Sequence, residues 1–206
     1  MRTRTTRPLG HRPTKGRKPP RHRPRRRARP SRKRAPQEAK AIAGIETRPA
    51  RPEEYGAVGE LVAASYASLW GDLGVYAGEL REVADRARST TVLVALDAGR
   101  VVGTVTYVPG PGPYFELKDL EAAGVRMLAV SPESQGHGVG RALMEACLAR
   151  ARGDGRGRIG LHTTDEMVVA KRLYRRLGFR RAGHMDWDIG DRVLRGYAYE
   201  FSESPG

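Results

Sequence analysis

Residues 127–143, MLAVSPESQGHGVGRAL, hold the groups best suited to bind a ligand. An apolar run and a short turn lead into Gln135-Gly136-His137-Gly138-Val139-Gly140-Arg141, and an amphipathic helix follows. Glycines at alternate positions clear side chains from the backbone where a helix N-terminus exposes unpaired N–H groups. Those amides, with the positive end of the helix dipole, suit a phosphorylated ligand. A second cluster, Leu173-Tyr174-Arg175-Arg176-Leu177-Gly178-Phe179, sets a phenol among apolar residues at helical spacing.

Two familiar phosphate loops fail on their residues. A P-loop needs Gly-Lys-Ser/Thr, and Gly140 is followed by Arg141-Ala142. The dinucleotide fingerprint needs a third glycine where Arg141 stands, and it belongs to the first strand of a βαβ unit. The loop here follows the fourth expected strand.

Periodicity supplies the elements that must carry these groups. Strands are expected over 42–50, 91–96, 101–108, 125–130 and 159–163, then 179–181, 184–189 and 193–201, the last two as a hairpin. Helices are expected from Pro52-Glu53-Glu54 towards Trp70, over 76–88, from the glycine loop to about Arg152, and over 167–177. Asp97-Ala98-Gly99-Arg100 reads as a hairpin turn, and 109–123 as a proline- and glycine-rich loop with a short helix around 117–122. The fold class is therefore α/β or α+β, a mixed sheet with helices on both faces.

Charge divides the chain in two. Residues 1–36 hold 13 Arg, 3 Lys and 7 of the 14 prolines, with no acidic residue. Their apolar residues are Met1, Leu9, Ala28 and Ala35, too few to offset the entropy of ordering, so a disordered basic tail is expected. Setting aside its 16 cations leaves 22 basic against 23 acidic residues in 37–206, a single expected domain of net charge −1. The +15 of the whole chain is a property of the tail, which argues against a DNA-binding domain with a basic face. A solvated arm, an upstream extension, a targeting peptide and weak contact with nucleic acid or anionic surfaces all fit the tail. Its prolines oppose a targeting helix.

No apolar run approaches the roughly 20 residues of a membrane span, so no membrane partner is expected. One cysteine, Cys147, excludes an internal disulfide and suits a cytoplasmic location; on an amphipathic helix it reads as a buried thiol. One cysteine and five scattered histidines give no metal spacing.

The loop and the tyrosine segment together resemble the GCN5-related N-acetyltransferase (GNAT) family. Its loop pattern, Gln/Arg-x-x-Gly-x-Gly/Ala, is met by Gln135, Gly138 and Gly140, and its later helix resembles Ala170-x-x-Leu173-Tyr174-x-x-Leu177-Gly178-Phe179. The resemblance runs from about residue 43 to 201 and implies a mostly antiparallel sheet splayed between strands 4 and 5. It also implies an N-acetyltransferase using acetyl-CoA as cosubstrate, with direct attack by a primary amine of a small molecule or protein. The pyrophosphate would lie on Gly136, His137, Gly138, Val139, Gly140 and Arg141, and the pantetheine arm along Leu128, Ala129 and Val130. Tyr174 stands at the family's proton-donor position.

The base is open. Gly124 stands where some relatives place a glutamate. Ribosomal-protein alanine acetyltransferases carry a glutamate on the fifth strand, where counting back from Tyr174 puts His162, and Glu116 is a further candidate. Met167 replaces a cofactor-contacting asparagine of many relatives. Trp70, Tyr76, Tyr114, Phe115, Trp187 and Tyr197 are candidates to line the acceptor pocket. The acceptor itself and the oligomeric state, a homodimer included, are left open. The other readings are a non-catalytic acetyl-CoA-binding module and a ribosome- or nucleic-acid-associated acetyltransferase docked by its tail.

Overall fold

The computed structural model describes residues 44–190 and 192–202. The expected tail, residues 1–36, its boundary at 37 and the start of the first expected strand lie outside them. The strands are β1 Glu46–Pro49, β2 Thr91–Asp97, β3 Arg100–Val108, β4 Ala123–Val130, β5 Arg158–Thr163, β6 Arg180–Arg181, β7 Trp187–Ile189 and β8 Arg192–Glu200. The helices are α1 Tyr55–Trp70, α2 Tyr76–Arg81, α3 Val83–Arg86, α4 Val139–Gly153 and α5 Val168–Arg176. None of them is long and apolar enough to cross a membrane.

The sheet runs β1-β2-β3-β4-β5-β8-β6, with β7 paired to β8. Its pairings are antiparallel except β4 with β5. Period-two alternation divides it between two helical layers. On β2, Val92, Val94 and Leu96 pack against Val58 of α1 and Val83 of α3, while Leu93 and Ala95 face a larger cluster. That cluster takes in Val139, Leu143, Met144, Cys147, Leu148 and Ala151 of α4 and Tyr174 of α5. Helices thus cover both faces, as the pattern predicts.

Gly103 on β3 lets α4 approach. A Cβ there would lie 2.7 Å from Val139 Cγ1 and 3.1 Å from Leu143 Cδ1, inside van der Waals contact. The N-terminus of α4 is thereby set against the sheet beside the end of β4.

Three expectations differ from what is seen. The helix over 76–88 breaks at Glu82, whose ψ of 59° is not helical. Beyond the break Arg86 turns inward, fully buried, and donates to the carbonyls of Glu79 and Leu80 at 3.3–3.4 Å, capping the end of α2. No helix forms over 117–122, because the Asp119 carboxylate accepts the Glu121 N–H at 3.1 Å, a local turn that competes with helix. The strand expected over 184–189 is shortened to 187–189 by a 3-10 turn at Gly183–Met185. Asp186 ends that turn: its carboxylate accepts from Arg181, Arg195 and the Gly196 N–H.

Candidate active site

The site forms where β4 and β5 part. Their parallel ladder covers three pairs, Ala123–Ile159, Gly124–Gly160 and Val125–Leu161. From Arg126 to Val130, β4 has no strand partner on that side among the described residues. A bulge lies at the divergence: the register with β3 slips between Thr104 and Thr106, so Met127 and Leu128 together face Val105. Met127 takes φ +55°, a conformation costing a side-chain-bearing residue about 1–2 kcal/mol. Burial of its side chain with Val62, Ala63, Leu80 and Ala129 opposes that cost. The result is a free strand edge over Leu128, Ala129 and Val130, able to pair with an extended, amide-rich ligand.

The glycine loop continues from that edge. Gly136 and Gly138 have φ of +80° and +86°, where other residues are strained. Gly140 serves a different need, since a Cβ there would stand 3.3 Å from Leu173 Cδ2 and 3.7 Å from Val130. That approach docks α5 against the start of α4 and thereby sets Tyr174. Among the described residues, the amides of 136–141 have no backbone acceptor; the first paired amide is Ala142, bonded to Gly138 O at 3.0 Å. They point from the positive end of a 15-residue helix. Gln135 Nε2 donates to Val130 O at 3.3 Å, joining loop to strand end. The Arg141 guanidinium pairs with Glu145 at 2.8 Å, so this residue offers the loop its amide. His137 is exposed at the rim and Val139 is buried beneath it. Unpaired amides, a free strand edge and close glycine packing fit a ligand with a pyrophosphate and an amide-rich arm, as acetyl-CoA has.

On the other side of the bulge lies a cleft of about 540 Å³, counting space open to solvent. Its walls include Tyr66, Tyr76, Arg126, Met127, Glu116 and His162. His162 is fixed by a 2.7 Å contact between Nε2 and Met185 O. A carbonyl only accepts, so Nε2 carries the proton and Nδ1 keeps a lone pair in the neutral ring. Trp187 meets the imidazole edge-on at 6.4 Å. Burial pushes the Glu116 carboxyl above its ordinary value, opposed by Arg126 and His162.

Tyr174 is 5% exposed, with Phe179 and Tyr197 rings at 5.9 and 6.5 Å. Burial raises its phenol, so the proton is held firmly. Tyr66 lines the cleft, and its own phenol is raised first by burial, then by Tyr76 and Tyr174. Cys147 is fully buried and its thiol is pushed up to about 12, which makes it inert as a nucleophile.

The structure therefore brings Glu116 and His162 into one cleft with Gly124 and the bulge, whereas Tyr174 packs in the core with Phe179 and Tyr197 and does not line that cleft. Of the expected aromatic residues, Tyr76, Tyr114 and Phe115 line that cleft. Trp187 lines a more open recess beside it, also walled by Phe115 and Glu116. Trp70 instead meets Tyr66 edge to face, with the Arg192 guanidinium over its ring, and Tyr197 packs on Tyr174. Tyr66 and Arg126 went unread; the signal for Arg126 was a lone cation within the apolar run of β4. Met167, at the asparagine position, precedes α5 half-buried.

Residues 55–179 match the model of the acetyltransferase (GNAT) family. The chain is 32% identical over 111 residues to N-acetyltransferase family 8 member 2 of Rattus norvegicus, covering 54% of this chain and 48% of that protein. It is 36% identical over 100 residues to a mycothiol acetyltransferase of Geodermatophilus obscurus, covering 46% and 30%. The chain thus spans about half or less of the length of these relatives. Among solved structures it resembles yncA, a putative acetyltransferase from Salmonella typhimurium with its cofactor acetyl-CoA. The TM-score is 0.59 at 20% identity, over 79% of this chain and 97% of that one. A GCN5-related N-acetyltransferase from Kribbella flavida gives 0.60 at 21% identity, over 77% and 98%.

Proposed function

The chain belongs to the acetyltransferase (GNAT) family, and from that premise we propose that it transfers acetyl from acetyl-CoA to a primary amine. The observation that carries the reading is the free β4 edge running into the unpaired amides of 136–141. Acetyl-CoA, the family's cosubstrate, supplies an acetyl group activated as a thioester when bound.

The residues divide the work. Gly136, His137, Gly138, Val139, Gly140 and Arg141 hold the pyrophosphate through their amides, with Gln135 bracing the loop. Leu128, Ala129 and Val130 hold the pantetheine arm by strand-like pairing. His162 accepts the ammonium proton of the acceptor at Nδ1, leaving the amine lone pair free for the acetyl carbonyl. Tyr174 would give its Oη proton to the sulfur as the carbon–sulfur bond breaks, and the second proton lost by the acetylated nitrogen would restore the phenol; burial keeps that phenol protonated throughout the neutral range. The buried, unreactive Cys147 favours direct attack by the amine over an acetyl-cysteine intermediate.

The full chain should release free thiol from acetyl-CoA in step with an acceptor gaining an acetyl group by mass spectrometry. A folded protein that binds acetyl-CoA yet acetylates no amine from a broad panel would favour the non-catalytic binding module.

A further inference from the structure

Two opposite charges meet in the cleft beside the Met127 bulge. Arg126 stands on β4 directly before the Met127 bulge, and its guanidinium contacts Glu116 at 2.7 Å. The two side chains are 15% and 29% exposed. Glu79 lies 3.8 Å from the same guanidinium, which also donates to Tyr114 O at 3.4 Å and sits over the Tyr114 ring. Both charges line the cleft with His162, as do Tyr66 and Tyr76.

A half-buried ion pair adds little net stability, because desolvation offsets the attraction. Its energetic weight falls on exchange: a ligand that displaces one charge must satisfy the charge left behind. Burial already disfavours the Glu116 anion despite the neighbouring cation, so that carboxylate gains from a second cationic partner.

We propose that Glu116 and Arg126 select the acceptor as a pair, and that the acceptor is a free α-amino acid or another small molecule carrying an α-amino carboxylate. The ammonium passes onto Glu116 beside His162, and the carboxylate onto Arg126. This assignment rests on the acetyl-transfer reading above and gives its acceptor a chemical class. In an α-amino acid the two charges are joined through one carbon, which suits two side chains already in contact. Every charge stays paired through the exchange. A simple amine leaves Arg126 with Glu79 at 3.8 Å, and a carboxylic acid without an amine sets an anion against Glu116. A peptide N-terminus brings a neutral amide to the guanidinium.

The test compares matched acceptors on the full chain at saturating acetyl-CoA: the protein α-amino acids, their α-amides and their decarboxylated amines. Acetylation is read by mass spectrometry, and acceptor affinity by calorimetry in the presence of CoA. The preferred amino acids should exceed their amides and amines by about 100-fold or more in kcat/KM, as expected of a site built to pair a polar group. Arg126→Met should remove that preference and leave acetyl-CoA affinity unchanged. Arg126→Lys, which keeps the charge, should retain part of it and guards against misfolding of the first variant. Equal use of acids and amides, or turnover of no α-amino acid, overturns the proposal whatever else is acetylated. Loss of acetyl-CoA binding in the wild type is a separate result and would remove the transferase reading itself.

Discussion

Along one flank of the parted strands, residues 136–141 present main-chain amides with few side chains in the way. Along the other, Arg126, Glu116, His162, Tyr66 and Tyr76 present charges, a lone pair and aromatic rings. The first flank is made of backbone: two glycines at positive φ, one that clears space for Leu173, and a strand edge left open by the splay. The second is made of side chains from β3–β4, α1, α2 and β5. A backbone site reads what all its ligands share, which under the proposed function would be phosphate oxygens and amides. A side-chain site can change its ligand by changing one residue, so specificity sits there. The two meet at Met127, where a left-handed residue turns one strand to serve both.

The division can be broken most severely at the loop. Gly138→Asp combines strain at φ +86° with a negative charge where a pyrophosphate is to sit. It should weaken acetyl-CoA binding by about 100-fold or more, equivalent to about 2.7 kcal/mol. Calorimetry measures this, with the thermal midpoint confirming that the variant is folded.

Tyr174→Phe removes the proposed proton donor. It should lower kcat by about 100-fold or more with acetyl-CoA affinity unchanged, as expected for removal of a proton donor. Because burial raises this phenol, the wild-type rate should show no alkaline fall due to Tyr174 up to about pH 10. An alkaline limb that disappears in the Phe variant below that pH would contradict the assignment.

A smaller effect separates packing from chemistry. Gly103→Ala drives a methyl into Val139 and Leu143 at the start of α4, and overpacking of this kind costs about 1–3 kcal/mol. The melting temperature should fall by about 2–4 °C for each kcal/mol. Displacing the helix start should weaken acetyl-CoA more than any acceptor.

The mildest contrast is in pH. Asp186 is held down to about 2, first by its hydrogen bond from Arg181, with burial opposing and the Gly196 N–H and Arg195 adding to it. A carboxyl lowered in the folded state stabilises it above the ordinary carboxyl range, and that contribution is lost as pH falls through about 2. Asp186 ties together the turn that carries Met185, the carbonyl partner of His162. Acidification from pH 5 to 2 should therefore loosen the β7–β8 hairpin, seen as a change in Trp187 fluorescence. Asp186→Asn should flatten that step, whereas the loop amides do not titrate.

The backbone flank was legible in the residues because its demands fall on glycine, which few other residues can replace at positive φ or at a close approach. Gly136, Gly138 and Gly140 could be placed for that reason. The Met127 bulge could not be, since it carries neither glycine nor proline and is held by packing from α1 and α2. Arg86 hid in the same way, a cation inside an apparent helix whose burial becomes sensible once α2 ends and its carbonyls need donors. The Glu116–Arg126 pair joins a loop to a strand ten residues on, and local spacing carries no sign of it. His162 could be nominated, but which nitrogen keeps the lone pair depends on Met185, 23 residues away.

The most direct test of the central claim is amide proton NMR of the full chain as acetyl-CoA is added. The account predicts that the amides of Leu128–Val130 and of residues 136–141 shift and become protected from exchange, while those lining the Glu116–Arg126 cleft change least. Binding that leaves those amides unprotected, or no binding by the folded protein, would contradict it.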